Sequence, residues 1–170
     1  MPIAITGATG RLGGRVARRL AADGIPQKLI VRDPSRAPQL PEAEAVQAEY
    51  GDALALRRAF DGVDTLLMVS ASESTDRVVA HRTFIDTAAK AGIGYLVYVS
   101  FCGASPTATF TLARDHWATE EHIRASGLRF TFLRDNLYAD FLPSMVGEDG
   151  VIRGPAGIGR VAAVAQDDIA

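Results

Sequence analysis

The sequence predicts an α/β fold: an open, doubly wound parallel sheet with helices on both faces. Short apolar, β-branched runs alternate with stretches of helical periodicity along most of the chain. Two of those runs, residues 64–70 and 95–100, are apolar almost throughout rather than on every second residue. Strands covered on both faces need that pattern. A glycine-rich turn, Thr6-Gly7-Ala8-Thr9-Gly10-Arg11-Leu12-Gly13, joins the first run to the first helical stretch, as in a phosphate-binding strand–turn–helix unit.

The elements follow in order. Residues 2–6 read as a strand and 11–23 as a helix with Leu12, Val16 and Leu20 on one face, ended by Gly24. Residues 28–32 form the next strand and 45–48 a weaker one. Residues 53–60 form a short helix turning Leu56, Ala59 and Phe60 inward, before the strand 64–70. Asp76 stands where a cap would start a helix running to Ala91, with Val78, Ile85 and Ala89 inward and Gly92 at its end. The strand 95–100, a helix over about 110–126 stopped by Gly127, and the strand 129–134 complete the alternation.

Beyond residue 146 the rhythm breaks. Gly147, Gly150, Gly154, Pro155, Gly157 and Gly159 crowd one stretch, residues 151–152 and 161–164 read as short strands, and Asp167 or Asp168 stands as the cap of a helix that does not follow. The division expected is a nucleotide-binding domain over 1–146 and the start of an incomplete C-terminal, substrate-side region over 147–170.

Composition narrows the function classes. The 170 residues are 48% hydrophobic and 22% charged, ordinary values for a globular domain. Eighteen basic against 20 acidic residues leave a net charge of −2, which gives no electrostatic case for nucleic acid or a membrane surface as partner. The N-terminus lacks the charged and apolar regions of a signal peptide. Residues 91–113 are uncharged but broken by glycine, proline and hydroxyl residues, so they read as strand, loop and helix start rather than a membrane span. A cytoplasmic protein is expected. Cys102, the single cysteine, has no disulfide partner and reads as a small buried hydrophobe.

In the first turn, Gly7 permits the tight bend, Gly10 lets the backbone approach a pyrophosphate, and Gly13 lets helix pack closely on strand. Gly7, Ala8, Thr9, Gly10, Arg11, Leu12 and Gly13 are therefore the expected phosphate cradle, with backbone N–H groups and the helix dipole facing the anion. At the end of the second strand Arg32, with Arg36 nearby, suits the 2′-phosphate of NADP. Asp33 would instead take the 2′-hydroxyl of NAD, so NADP is favoured and NAD is the alternative. Asp52 suits an adenine amino group, a helix cap, or both. Ser70, Ala71 and Ser100 end the fourth and fifth strands, where an open parallel sheet forms its ligand crevice.

The first turn, the Val-Arg strand end and the Tyr-Gly-Asp segment resemble the NmrA-like branch of the atypical short-chain dehydrogenase/reductases. So do Leu112-Ala113-Arg114-Asp115-His116-Trp117-Ala118-Thr119-Glu120 and the run Ser126-Gly127-Leu128-Arg129-Phe130-Thr131-Phe132-Leu133-Arg134-Asp135-Asn136-Leu137-Tyr138. Within that branch the likeness is to the type 2 quinone reductase and azoreductase-like members. The resemblance implies a Rossmann-type domain that binds NAD(P)(H). It places Gly7 to Gly13 on the pyrophosphate, Arg32 on the 2′-phosphate, Asp52 near the adenine, Ser70 and Ala71 near the ribose, and Asn136 near the nicotinamide.

Two departures bear on activity. The Tyr-x-x-x-Lys pair of ordinary short-chain dehydrogenases is absent, because Tyr95, Tyr98 and Tyr138 are followed four residues later by Val99, Cys102 and Leu142. Family chains also run substantially longer, which implies that the part closing over substrate is missing here. The proton that quinone reduction requires points to His116 or Tyr138, with a histidine merely packed on its helix as the alternative for His116. His81 and His122 read as surface residues, and Glu120-Glu121-His122 as no metal site, since adjacent helix positions do not face one another. The expectation is an NAD(P)H-dependent oxidoreductase passing a hydride to a small quinone-like acceptor. The alternative is a non-catalytic NAD(P)-binding redox sensor of the NmrA type. A homodimer is left open.

Overall fold

All six strands of the sheet are parallel and lie in the order β3-β2-β1-β4-β5-β6. They are β1 (Ile3–Thr6), β2 (Gln27–Val31), β3 (Ala43–Gln47), β4 (Thr65–Val69), β5 (Tyr95–Phe101) and β6 (Phe130–Asp135). The chain winds outward from β1 in one direction, then returns to β4 and winds outward in the other. The computed structural model describes residues 1–154 and 157–170, so Pro155 lies outside the described residues.

Both sheet faces are covered, which explains the continuous apolar strands. Ala4, Ile30, Leu66, Met68, Leu96 and Tyr98 face one way, into a core shared with Leu56 and Phe60 around α2 (Ala53–Ala59), Phe84 and Ile85 of α3 (Arg77–Lys90) and Ile123 of α4 (Thr111–Ala125). Their neighbours Ile5, Leu29 and Val31 face the other way, onto Ala17 of α1 (Arg11–Ala22), with Val16 and Leu20 alongside. Alternate residues of one strand thus serve opposite cores. The weak third strand is the sheet edge: its residues are exposed or half-buried, and it pairs from Ala43 rather than Ala45.

The C-terminal stretch departs from expectation. Residues 151–152 and 161–164 contribute single bridges, Val146 to Ile152 and Tyr138 to Val164, instead of strands. A one-turn helix over Gln166–Ile169 does form, and Asp167 and Asp168 lie inside it. Its first N–H, on Gln166, is met from a distant residue, Asp140 Oδ2, at 2.9 Å. Arg15 of α1 donates to Asp167 Oδ1 (2.5 Å) and Asp140 Oδ1 (3.3 Å), and Arg19 donates to the Asp167 carbonyl (2.7 Å). Three further expectations are corrected. Asp76 precedes α3 without a side-chain capping bond, Cys102 is exposed, and His81 is fully buried.

Candidate functional site

The turn after β1 has a shape that only missing side chains allow. Gly7 has φ +68°, and a Cβ there would meet Val69 at 3.2 Å. The Gly10 N–H closes the turn on the Gly7 carbonyl at 2.9 Å. A Cβ on Gly13 would lie 2.5 Å from the Gly7 carbonyl oxygen and 2.8 Å from that of Thr6, so α1 seats directly on the turn. Gly14, which the glycine triplet does not single out, is under the same constraint, 2.9 Å from the Ala8 carbonyl oxygen. Ala8 and Leu12 are buried and support the turn from below, while Thr9, Gly10 and Arg11 are exposed. No side chain caps α1 at Gly10 and no acid lies in its first turn, which leaves the positive helix end to an anion.

The base of the turn is pinned at the point where the strand order reverses. Thr6 Oγ1 accepts the Val69 N–H at 2.8 Å, and the Tyr50 hydroxyl bridges Thr6 Oγ1 (2.7 Å) and the Val69 carbonyl. Open parallel sheets bind ligands at this crevice.

Beside it, Thr9, Arg32, Asp33 and Arg36 line a cleft of about 310 Å³. Asp33 caps the 3₁₀ turn Pro34–Arg36, accepting the Ser35 N–H at 3.0 Å and the Ser35 hydroxyl at 2.7 Å. Those bonds hold its carboxyl below its usual range. The Gln47 amide donates to the Arg32 carbonyl at 3.0 Å and steadies the strand end. Asp52 caps α2 through Oδ1, accepting from Leu54 N (3.0 Å) and Ala55 N (2.9 Å).

The loop after β4 is clamped from α3. Ala71 donates its N–H to His81 Nε2 at 3.0 Å, and its carbonyl accepts from Arg77 Nε at 2.8 Å. Ser70 beside it is half-buried. Arg77, itself buried, also donates to His116 Nε2 (3.2 Å) and Asp115 Oδ2 (3.3 Å). Both histidines accept at Nε2 and so carry their proton on Nδ1. His81 gives it to Thr119 Oγ1 at 2.9 Å, and His116 to the Tyr98 hydroxyl at 2.8 Å. Burial, with the charge of Arg77, pushes His81 down to about 3 and His116 down to about 4.

These contacts correct two expectations. Both ring nitrogens of His116 are occupied inside the helix packing, so it presents no nitrogen to a substrate. Ser100 is also sealed. The residue is fully buried and its hydroxyl donates to Glu120 Oε1 of α4 at 2.6 Å. Burial opposes the charge of Glu120, but two bonds from Arg134 (2.9 and 2.6 Å), the Ser100 bond and nearby Arg124 keep its carboxyl below the ordinary range.

At the end of β6, Asn136 Oδ1 accepts the Leu137 N–H at 2.8 Å. The Tyr138 hydroxyl donates to Asp135 Oδ2 at 2.8 Å. Burial pushes the tyrosine hydroxyl up, and pushes Asp135 up to about 6 although the Tyr138 bond pulls the other way. The Tyr138 ring lies 5.9 Å from that of Phe141, and the Arg11 guanidinium sits 5.9 Å above Phe141. The segment after β6 thus returns to the glycine turn. Asp135 was missed in the sequence, where its neighbour Asn136 carried the resemblance.

Sheet order, glycine cradle and uncapped helix end together define a dinucleotide-binding domain of the Rossmann type. The residues fit such a ligand: a Cβ would fill the cradle, and two arginines line the adjoining cleft. A family model described as NAD(P)H-binding matches residues 7–169, and the chain belongs to that family. The chain is 39% identical to quinone oxidoreductase 2 of Escherichia coli over 99% of its own length and 61% of that protein's. An NmrA-like family domain-containing oxidoreductase of Aspergillus flavus is 30% identical over 82% of this chain and 48% of its own. The structure matches Citrobacter sp. triphenylmethane reductase complexed with NADP(H) at TM-score 0.89 and 32% identity, over 99% of this chain and 62% of that one. The chain therefore spans about three fifths of the first of these relatives. The expected fold and the resemblance to the NmrA-like reductases both stand.

Proposed function

We propose that the chain binds NADP(H) across the carboxyl edge of the sheet and serves hydride transfer to a small quinone-like acceptor. The observation that carries this reading is the glycine turn: a cradle closed to any Cβ, under a helix end with no cap, opening beside Arg32 and Arg36. Backbone N–H groups of the turn hold the pyrophosphate, and Arg32 with Arg36 meets the 2′-phosphate. The carboxyl of Asp33, already committed to Ser35, is less available for the ribose hydroxyl that NAD would offer there. Asp52 keeps Oδ2 for the adenine amino group while Oδ1 caps α2. Ser70 and Ala71 meet the ribose on the loop that His81 and Arg77 hold still, and Asn136 faces the nicotinamide end. The bound dinucleotide supplies the hydride.

The reading has no place for alcohol dehydrogenation through a tyrosine–lysine pair, since that pair is missing.

The test is calorimetric titration of the purified chain with NADPH and NADH, followed by NADPH consumption with a small benzoquinone. Tight binding and turnover are expected. Arg32→Glu should weaken NADPH more than NADH by about tenfold or more, as loss of a charged hydrogen bond implies. Equal losses would remove the 2′-phosphate role. Failure to bind either nucleotide overturns the whole reading, and binding without turnover turns it toward the sensor.

A further inference from the structure

We propose that Asp135 is the proton store of this site and that the Tyr138 hydroxyl hands its proton to the acceptor. The inference rests on the acceptor-reducing function proposed above and adds the source of the proton.

The geometry begins with elimination. His116 was the other candidate, and both its nitrogens are spent on Arg77 and Tyr98. Tyr138 follows β6 and lies beside Phe141, and the Phe141 ring in turn carries the Arg11 guanidinium at the start of α1. Among the described residues the Tyr138 hydroxyl makes one side-chain hydrogen bond, to Asp135 Oδ2. Asp135 in turn has no cation: among the described residues it takes part in no ion pair. The charged and titratable groups around it are otherwise engaged. Arg134, its neighbour on β6, is held by Glu120. Just past β5, Cys102 contributes its backbone N–H to the Asp135 carbonyl at 2.6 Å while remaining exposed itself. From α4, His116 stands beyond the Phe101 ring, and Asp140 on the following turn is paired with Arg15.

Among the described residues the only side-chain partner of this half-buried carboxyl is a tyrosine hydroxyl; with no cation to stabilise its anion, burial pushes it up to about 6, and it takes a proton as pH falls through that value. When Asp135 is protonated it donates to Tyr138 Oη, which frees the tyrosine hydrogen for an outside acceptor. A quinone receiving a hydride gains two electrons and one proton, and the nicotinamide is oxidised by the same two electrons. One further proton completes the hydroquinone. The Tyr138 O–H bond breaks as an O–H bond forms on the quinone oxygen, and the Asp135 proton passes to Tyr138. The aspartate is left as carboxylate and recovers its proton from water.

Two measurements on the intact chain test this. Carbon-13 NMR of labelled aspartate carboxyls should show one resonance titrating near pH 6, absent in Asp135→Asn. A carboxyl that titrates with the other aspartates overturns the inference. In steady-state turnover with NADPH and a benzoquinone, kcat of the wild type should fall as pH rises through that same range. Asp135→Asn should lower kcat by about a hundredfold and flatten the profile, with KM for NADPH unchanged. Tyr138→Phe should match it, and the double variant should be no slower than either. An unchanged profile in Asp135→Asn with normal wild-type turnover overturns the proton store alone. No turnover in the wild type with nucleotide bound overturns the acceptor reading and this inference with it.

Discussion

The two ends of the carboxyl edge are built by opposite means. Around β1, α1 and β2 the site is made of backbone. Its shape comes from Gly7, Gly10, Gly13 and Gly14, and its charge from a helix end and two exposed arginines. Around α3, α4 and β6 it is made of side chains: Arg77 joins His116 to the Ala71 carbonyl, His81 joins the Ala71 N–H to Thr119, and Glu120 joins Ser100 to Arg134. The first region has nothing to lose but space, so it fails when an atom is added. The second is satisfied only as a network, so it fails when an atom is removed. A buried donor or acceptor left without its partner bears the full desolvation cost.

The sharpest break in the second region is Arg77→Met. It takes the donor from the Ala71 carbonyl and from His116 Nε2 together, and should cost about 3–5 kcal/mol in denaturant unfolding. A loss below about 1 kcal/mol would mean the region is not a network.

Acid should attack the same region next. His81 and His116 titrate at about 3 and 4 in the folded protein against 6.5 unfolded, so below pH 6.5 the unfolded chain binds protons that the folded one refuses. Each histidine should therefore remove roughly 1.4 kcal/mol of stability per pH unit as pH falls from 6.5 toward 4, with no effect above 6.5. Urea unfolding at stepped pH checks this. His81→Gln should flatten the slope by one histidine's share.

In the first region the corresponding probe is Gly13→Ala, which adds one carbon 2.5 Å from the Gly7 carbonyl oxygen. About 1–3 kcal/mol of stability should go, and NADPH affinity with it, since the turn must open to admit the methyl. Stable folding with unchanged binding would show that the cradle yields. The smallest effect belongs to Asp52→Ala, about 1 kcal/mol for a lost helix cap, read from thermal unfolding. Asp52→Asn should keep the cap and separate it from any contribution to nucleotide affinity.

The same contrast explains what could be read in advance. Gly7, Gly10 and Gly13 stand close together in sequence because the turn is local, and Arg32 and Asp33 follow the next strand directly. The burial of His81 had a local sign, since Val78 and Ile85, three residues before it and four after, lie on the same helix face and read as inward. Its partners had none: they are Ala71 and Thr119, the latter on the next helix. His116 could be read as a proton donor or as a histidine packed on its helix, and its bonds to Arg77 and Tyr98 are those of the packed one. Ser100 sits at the expected strand end, yet it is fully buried there and its neighbour across space is Glu120. Asp135 became visible only when Tyr138 turned back onto it.

By itself the sequence determined the sheet, its helices and the glycine turn, because periodicity, apolar runs and glycine spacing act over a few residues along the chain. The tertiary structure alone decided which polar groups are spent and which are free. Hydrogen-bond partners brought together across dozens of residues leave no pattern in the order of amino acids, and the fate of a buried proton depends on them.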